Sequence, residues 1–186
     1  MIIIAYDEHL FFPGFVLFSY VERYQNLVPL LFLQMHIVHY KTAYGSINEA
    51  LNKSDGLAVL GFMFKVIPFG SIFFEKLLKK LSDVQYSGES TDTWPMRLAD
   101  MLPIPLQKLR YFRYNGSLTT PPCNEAAIWT IFTRPIYISE KQLQQFRKLY
   151  SNEKSFETYE HISDNFRPVQ PLNNRRVLKN FQNQLL

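Results

Sequence analysis

The near-continuous apolar run Leu57-Ala-Val-Leu-Gly-Phe-Met-Phe-Lys-Val66 constrains the fold more than any other part of this chain. It is strand-length and lacks the alternation of a half-solvated strand, so it predicts a central strand buried on both faces. Such a strand needs neighbours along both edges and cover on both sides. Gln34 to Tyr40 supplies one neighbour: Ile37, Val38 and Tyr40 favour extended backbone. A period of two then turns Met35, Ile37 and His39 to one face and Gln34, His36, Val38 and Tyr40 to the other. Ile128 to Phe132 predicts a further short buried strand.

Cover for the sheet comes from two segments with helical spacing. Ile72, Phe73, Leu77, Leu78 and Leu81 share a stripe within Ser71 to Leu81. Ser139-Glu-Lys-Gln142 is a capping box that opens a second amphipathic helix, with Leu143, Phe146, Leu149 and Tyr150 on its apolar side. Tyr44-Gly45-Ser46 and Asn52-Lys-Ser-Asp-Gly56 read as turns, Ser87 to Thr93 as a polar loop, and Asp164 to Arg175 as a proline-broken irregular tail.

Composition removes several function classes. With 186 residues, 47% hydrophobic and 16% aromatic, the chain is long enough for one well-buried domain and too apolar for disorder. The net charge of +4 comes from scattered residues such as Lys76, Lys79, Lys80, Arg110 and Arg113, with no long basic run, so nucleic acid is not expected as a partner. Cys123 is the single cysteine, which excludes an intrachain disulfide and a Cys-rich zinc site. Residues 1–33 differ in character from the rest. Leu10 to Val21 and Leu27 to Leu33 are apolar, but Pro13, Glu22, Arg23 and Pro29 interrupt them, so no transmembrane segment is expected. Asp7 and Glu8 stand where a signal peptide carries positive charge, and no convincing signal peptide is read.

From the residues alone, the chemistry stays open. Of four histidines, His36 and His39 face opposite ways on a strand, and His9 and His161 are isolated. There is no His-x-His, no glycine-rich phosphate loop, no G-x-S-x-G and no H-E-x-x-H. His36 by itself reads as a half-buried core histidine more readily than as a ligand, and Thr119-Thr-Pro-Pro122 as a rigid turn. This much describes a soluble, mostly β domain with no assigned activity.

Motifs in fixed order carry the reading further. They are Gln34-Met-His-Ile-Val-His39, Tyr44-Gly45-Ser46, Asp55-Gly-Leu-Ala-Val-Leu-Gly61, Tyr114-Asn-Gly-Ser-Leu-Thr-Thr-Pro-Pro122, Trp129, and Asn165-Phe-Arg-Pro168 with Gln170-Pro-Leu172. Together they resemble the C-terminal portion of the α-class carbonic anhydrases, zinc enzymes that interconvert carbon dioxide and bicarbonate. The resemblance implies a mixed, predominantly β fold: a central twisted, mostly antiparallel sheet with peripheral helices. It divides the chain into a partial domain over 34–182, a tail over 183–186, and a non-family segment over 1–33. The pyrimidine-rich coding possible for Val28 to Gln34 suggests translated intron or a mis-assigned exon for that segment.

The resemblance also implies roles. His36 is similar to the third zinc ligand, and Gln34 stands where the family has a glutamate that supports a ligand histidine. Thr119 resembles the gatekeeper threonine that orients zinc-bound hydroxide toward carbon dioxide. Val38, Val59, Leu118, Thr120 and Trp129 resemble the walls of the substrate pocket. His39, Tyr114 and Arg175 resemble structural hydrogen-bonding positions. The family's mechanism is attack by zinc-bound hydroxide, zinc lowering the pKa of its water to about 7, a case for which carbonic anhydrase is the standard example.

Departures from the pattern set the remaining expectations. The His-x-His strand that bears the family's first two ligands has no counterpart, so the chain keeps one of three zinc histidines and is expected to be inactive as written. A non-catalytic carbonic-anhydrase-like binding domain and a truncated product without function are the alternatives. Cys123 after the Pro-Pro is similar to the exported members of the family, without its usual partner cysteine, and the compartment stays unassigned. Protein partners are likewise unassigned.

Overall fold

The computed structural model describes residues 4–5, 14–21, 32–89, 91, 108–155, 157–162 and 165–182. His9, the break at Glu22 and Arg23, Pro29, Thr93 and Asp164 lie outside them.

Among the described residues eight strands form the sheet: β1 (Ile4–Ala5), β2 (Gly14–Val21), β3 (Phe32–Tyr40), β4 (Leu57–Val66), β5 (Tyr111–Gly116), β6 (Ala127–Phe132), β7 (Ile136–Ile138) and β8 (Leu178–Lys179). Their order is β1-β2-β3-β4-β6-β5-β8, with β7 pairing the far end of β4. The apolar run Leu57 to Val66 is β4 and lies centrally, antiparallel to β3 and parallel to both β6 and β7. The remaining pairings are antiparallel, so the sheet is mixed and mostly antiparallel. β2 runs antiparallel along β3 for its whole length, in a segment where the sequence offered no strand assignment. Most of its residues, Phe-Val-Leu-Phe-Ser-Tyr-Val after Gly14, suit a pleated surface, and pairing along β3 satisfies the backbone groups of that edge.

The two sheet faces are covered differently. One face carries Leu33, Met35, Ile37, Phe62, Phe64 and Phe132, packed against α2 (Ile72–Leu81) and α3 (Glu140–Phe146) through Phe74, Leu77, Leu81, Leu143 and Phe146. Rings interlock here: Phe62 stacks on Phe132 at 4.6 Å and Phe64 meets Phe74 edge-on at 5.1 Å. Both helices begin as the sequence predicts. Ser71 Oγ accepts from Phe74 N–H, and Ser139 and Gln142 form the capping box. Gln142, 3% exposed, does more than cap. Its Oε1 accepts from the N–H groups of Ser139 and Ser71, and its Nε2 donates to Ser71 O at 2.7 Å. One amide thus fixes the starts of both helices. Each carries an acidic first turn, Glu75 and Glu140, which suits the positive end of the helix dipole.

The opposite face has a smaller core of Val38, Ala50, Leu57, Val59, Ala126, Ala127 and Trp129. α1 (Ile47–Ala50) and the turn at Gly56 cover it at one end. There the ion pair Lys41–Asp55 and the Tyr44 Oη bond to Asp55 tie the connection together. Toward the other end of this face the cover thins, and an open cavity begins at His36 and Gln34.

Candidate functional site

The cavity holds about 480 Å³ and is floored by β3, β4 and β6. The strand period brings Gln34 and His36 up from β3, and register sets Met63 and Gly61 of β4 opposite them. Trp129 and Ile131 rise from β6 on the same face. Gly61 is a spacer: a Cβ there would lie 2.5 Å from Ile131 Cδ1. The loop that leaves β5, residues 117–125, packs beside the cavity, held by Trp129 Nε1 donating to Ser117 O at 2.9 Å, Leu118 N–H to Asn124 O, and Asn124 Nδ2 to Leu51 O. Gly116 lets the indole in, since a Cβ there would lie 2.9 Å from Trp129 Cδ1. The irregular tail closes the far wall with Arg167, Leu172 and Arg175.

His36 is 3% exposed and meets Trp129 edge-on at 4.8 Å. Its Nε2–H donates to Gln34 Oε1 at 3.1 Å, which leaves Nδ1 as the bare nitrogen. That Nδ1 is buried and has no hydrogen-bond partner. An unmet buried acceptor costs about 1–3 kcal/mol, so it marks a place where a ligand belongs. Burial lowers the His36 pKa to about 4, so the ring is neutral near pH 7, the form that binds metals and accepts hydrogen bonds.

Of the residues singled out from sequence, Gln34, His36, Tyr114, Thr119, Trp129 and Arg175 line this one cavity. Val38 and Val59 are buried in the adjoining core, with Leu118 packed on it. They do not line the cavity, and neither does Thr120. His39 lies half-buried on the helix-covered face, its pKa lowered by burial and partly restored by a backbone bond to Ala58. Burial raises the Tyr114 pKa, and the nearby Arg175 guanidinium opposes that. Arg175 itself donates Nε to Leu172 O at 3.0 Å and a second nitrogen to Pro171 O. Sequence reasoning gave no role to Arg167, whose guanidinium donates to Ser117 Oγ at 2.5 Å, or to Met63. Arg167 lay within the quoted Asn165-Phe-Arg-Pro168, and Met63 follows once β4 is registered on β3.

Comparison with known sequences places this geometry. The family described as eukaryotic-type carbonic anhydrase matches residues 30–181. The chain belongs to the carbonic anhydrase family. It is 39% identical to carbonic anhydrase 4 of Oryctolagus cuniculus over 148 residues, 79% of this chain and 47% of that protein. It is 36% identical to carbonic anhydrase 6 of Bos taurus over 80% of this chain and 45% of that one. To the carbonic anhydrase-related protein of Homo sapiens it is 36% identical, over 81% and 53%. The chain thus spans about half the length of the curated relatives it matches.

A carbonic anhydrase normally binds zinc, and a catalytic zinc needs three protein ligands with a fourth position open. His36 meets one requirement, with a neutral ring, a bare Nδ1 and an Nε2–H held by a neighbour. Among the described residues no group of three His, Cys, Asp or Glu side chains comes together. β2, which flanks β3 and sets Leu17 in register with His36, contains none of these residue types. The described residues therefore fit one ligand of a zinc centre and not the whole of it. Cys123 is an unpaired, half-buried thiol at φ 61°. No helix among the described residues is long and apolar enough to cross a membrane.

Proposed function

We propose that this chain supplies the third-ligand strand and the substrate-orienting loop of a domain that hydrates carbon dioxide to bicarbonate with zinc, and that it does not catalyse this reaction as written. The bare, buried Nδ1 of His36 carries the reading, because such an atom is costly unless something binds it. Thr119, on the same cavity wall, is the residue assigned to orient the nucleophile. Trp129 supplies apolar surface beside it, which suits an uncharged substrate without a dipole, and Val38, Val59 and Leu118 lie behind it in the adjoining core. Gln34 holds the His36 ring as a neutral amide; a carboxylate there would add negative charge and raise the ring's basicity.

A second reading, a non-catalytic carbonic-anhydrase-like binding domain, draws support from the same cavity. One metal ligand and two guanidiniums favour holding an anion over generating hydroxide. Stopped-flow hydration separates the two. The chain as written is expected to run no faster than buffer. The same chain joined to an upstream segment bearing His-x-His is expected to gain zinc-dependent turnover, lost on His36→Ala and reduced on Thr119→Ala. Zinc-dependent turnover by the chain as written, or none by the joined protein, overturns the first reading.

A further inference from the structure

The cavity contains an electrostatic imbalance that carbon dioxide hydration does not use. Arg167 and Arg175 both line it, and among the described residues no aspartate or glutamate does. Among the described residues neither guanidinium belongs to an ion pair. Among the described residues their hydrogen bonds go to neutral oxygens: Ser117 Oγ and Leu118 O for Arg167, Leu172 O and Pro171 O for Arg175. A guanidinium has five donors and is always charged, so each keeps donors to spare. Both side chains are only half-exposed, so water screens them less than it screens the surface lysines. The floor beneath them is apolar, made by Trp129, Ile131 and Met63. The volume, about 480 Å³, lies in the range that holds a small organic molecule.

We propose that this cavity binds a small organic carboxylate, its apolar body on Trp129 and Ile131 and its head group on the Arg167 and Arg175 guanidiniums. The proposal concerns the zinc-free chain and does not depend on the hydration reading. The arginines set the charge of the ligand, the indole sets its shape, and neither needs a metal.

Calorimetric titration of the chain as written, with chelator present, tests this using benzoate and its neutral isostere benzamide. Benzoate is expected to bind about tenfold more tightly than benzamide, in line with one charge-assisted pair. Added salt should weaken benzoate and leave benzamide unchanged. Arg175→Gln, in an irregular segment remote from the main core, should reduce the benzoate preference, and Arg167→Gln with Arg175→Gln should bring benzoate down to the benzamide level. Benzamide binding as tightly as benzoate, no saturable binding of benzoate, or a benzoate preference that survives the double replacement would each overturn the proposal. Because chelator removes metal, a negative result here leaves the hydration reading standing, and a failed hydration assay leaves this one standing.

Discussion

The two faces of one sheet behave as different materials. On the helix-covered face, sixteen of the described apolar side chains are buried and interlock between strands and helices, and a buried polar group there, Gln142, uses its amide fully. On the opposite face the core stops partway, and beyond it lie a buried nitrogen without a partner, two guanidiniums that pair with no acid among the described residues, and the exposed apolar residues Val169, Leu172 and Val177. The first face is complete in itself. The second is built to receive something, and its stability is correspondingly less tied to its own side chains.

The largest effect should come from opening the closed face. Phe74 is fully buried against Phe64, so Phe74→Ala should cost about 3–5 kcal/mol in urea unfolding. A cost below about 1 kcal/mol would mean that this face is as loose as the other.

Next in size is a pH effect confined to the open face. His36 has its pKa lowered to about 4 by burial, against 6.5 when unfolded. Above pH 6.5 neither state holds the proton, and the shift costs nothing. As pH falls from 6.5 to 4 the unfolded chain takes up a proton that the folded chain refuses, so stability drops, by at most about 3 kcal/mol. Below 4 the loss levels off. In the metal-free chain, unfolding midpoints measured from pH 7 to 4 should slope downward, and His36→Phe should flatten that slope. An unchanged slope would place the titration elsewhere.

Gln142→Ala should cost about 1–3 kcal/mol, because it leaves the N–H of Ser71 without its partner, takes one of two donors from Ser71 O, and removes the side-chain half of the α3 capping box that accepts from Ser139 N–H. Hydrogen exchange should show the first turns of α2 and α3 loosening together. Loosening of α3 alone would sever the link between the two helix starts. At the small end, Leu172→Ala on the open face should change stability by no more than about 0.5 kcal/mol, since the residue is 54% exposed. A cost like that of Phe74 would erase the contrast between the faces.

How much of this was legible in sequence follows the same division. β4, α2 and the capping box of α3 announce themselves, because burial on both faces and helix capping are local patterns. β2 did not. Its apolar, aromatic character was visible, but its assignment depends on β3 lying alongside, and partner choice is not written in one strand. Gln34, His36 and Thr119 were legible through ordered motifs, and the structure gathers them in one cavity. Val38 and Val59 were named for the same pocket; they share its sheet face but lie two residues along β3 and β4 in the buried core, and strand period fixes the face without fixing where along it the cavity opens. Arg167 comes from a tail with no periodicity, so nothing local marked its direction. The orphaned Nδ1 is a property of the folded neighbourhood and has no sequence signature.

The state of His36 is the claim on which the open face rests, and long-range proton–nitrogen NMR of the imidazole measures it directly. The account predicts a neutral ring at pH 7 with the proton on Nε2, Nδ1 bare, and no titration between pH 5.5 and 8 in the metal-free chain. A proton on Nδ1, or a midpoint near 6.5, would contradict it.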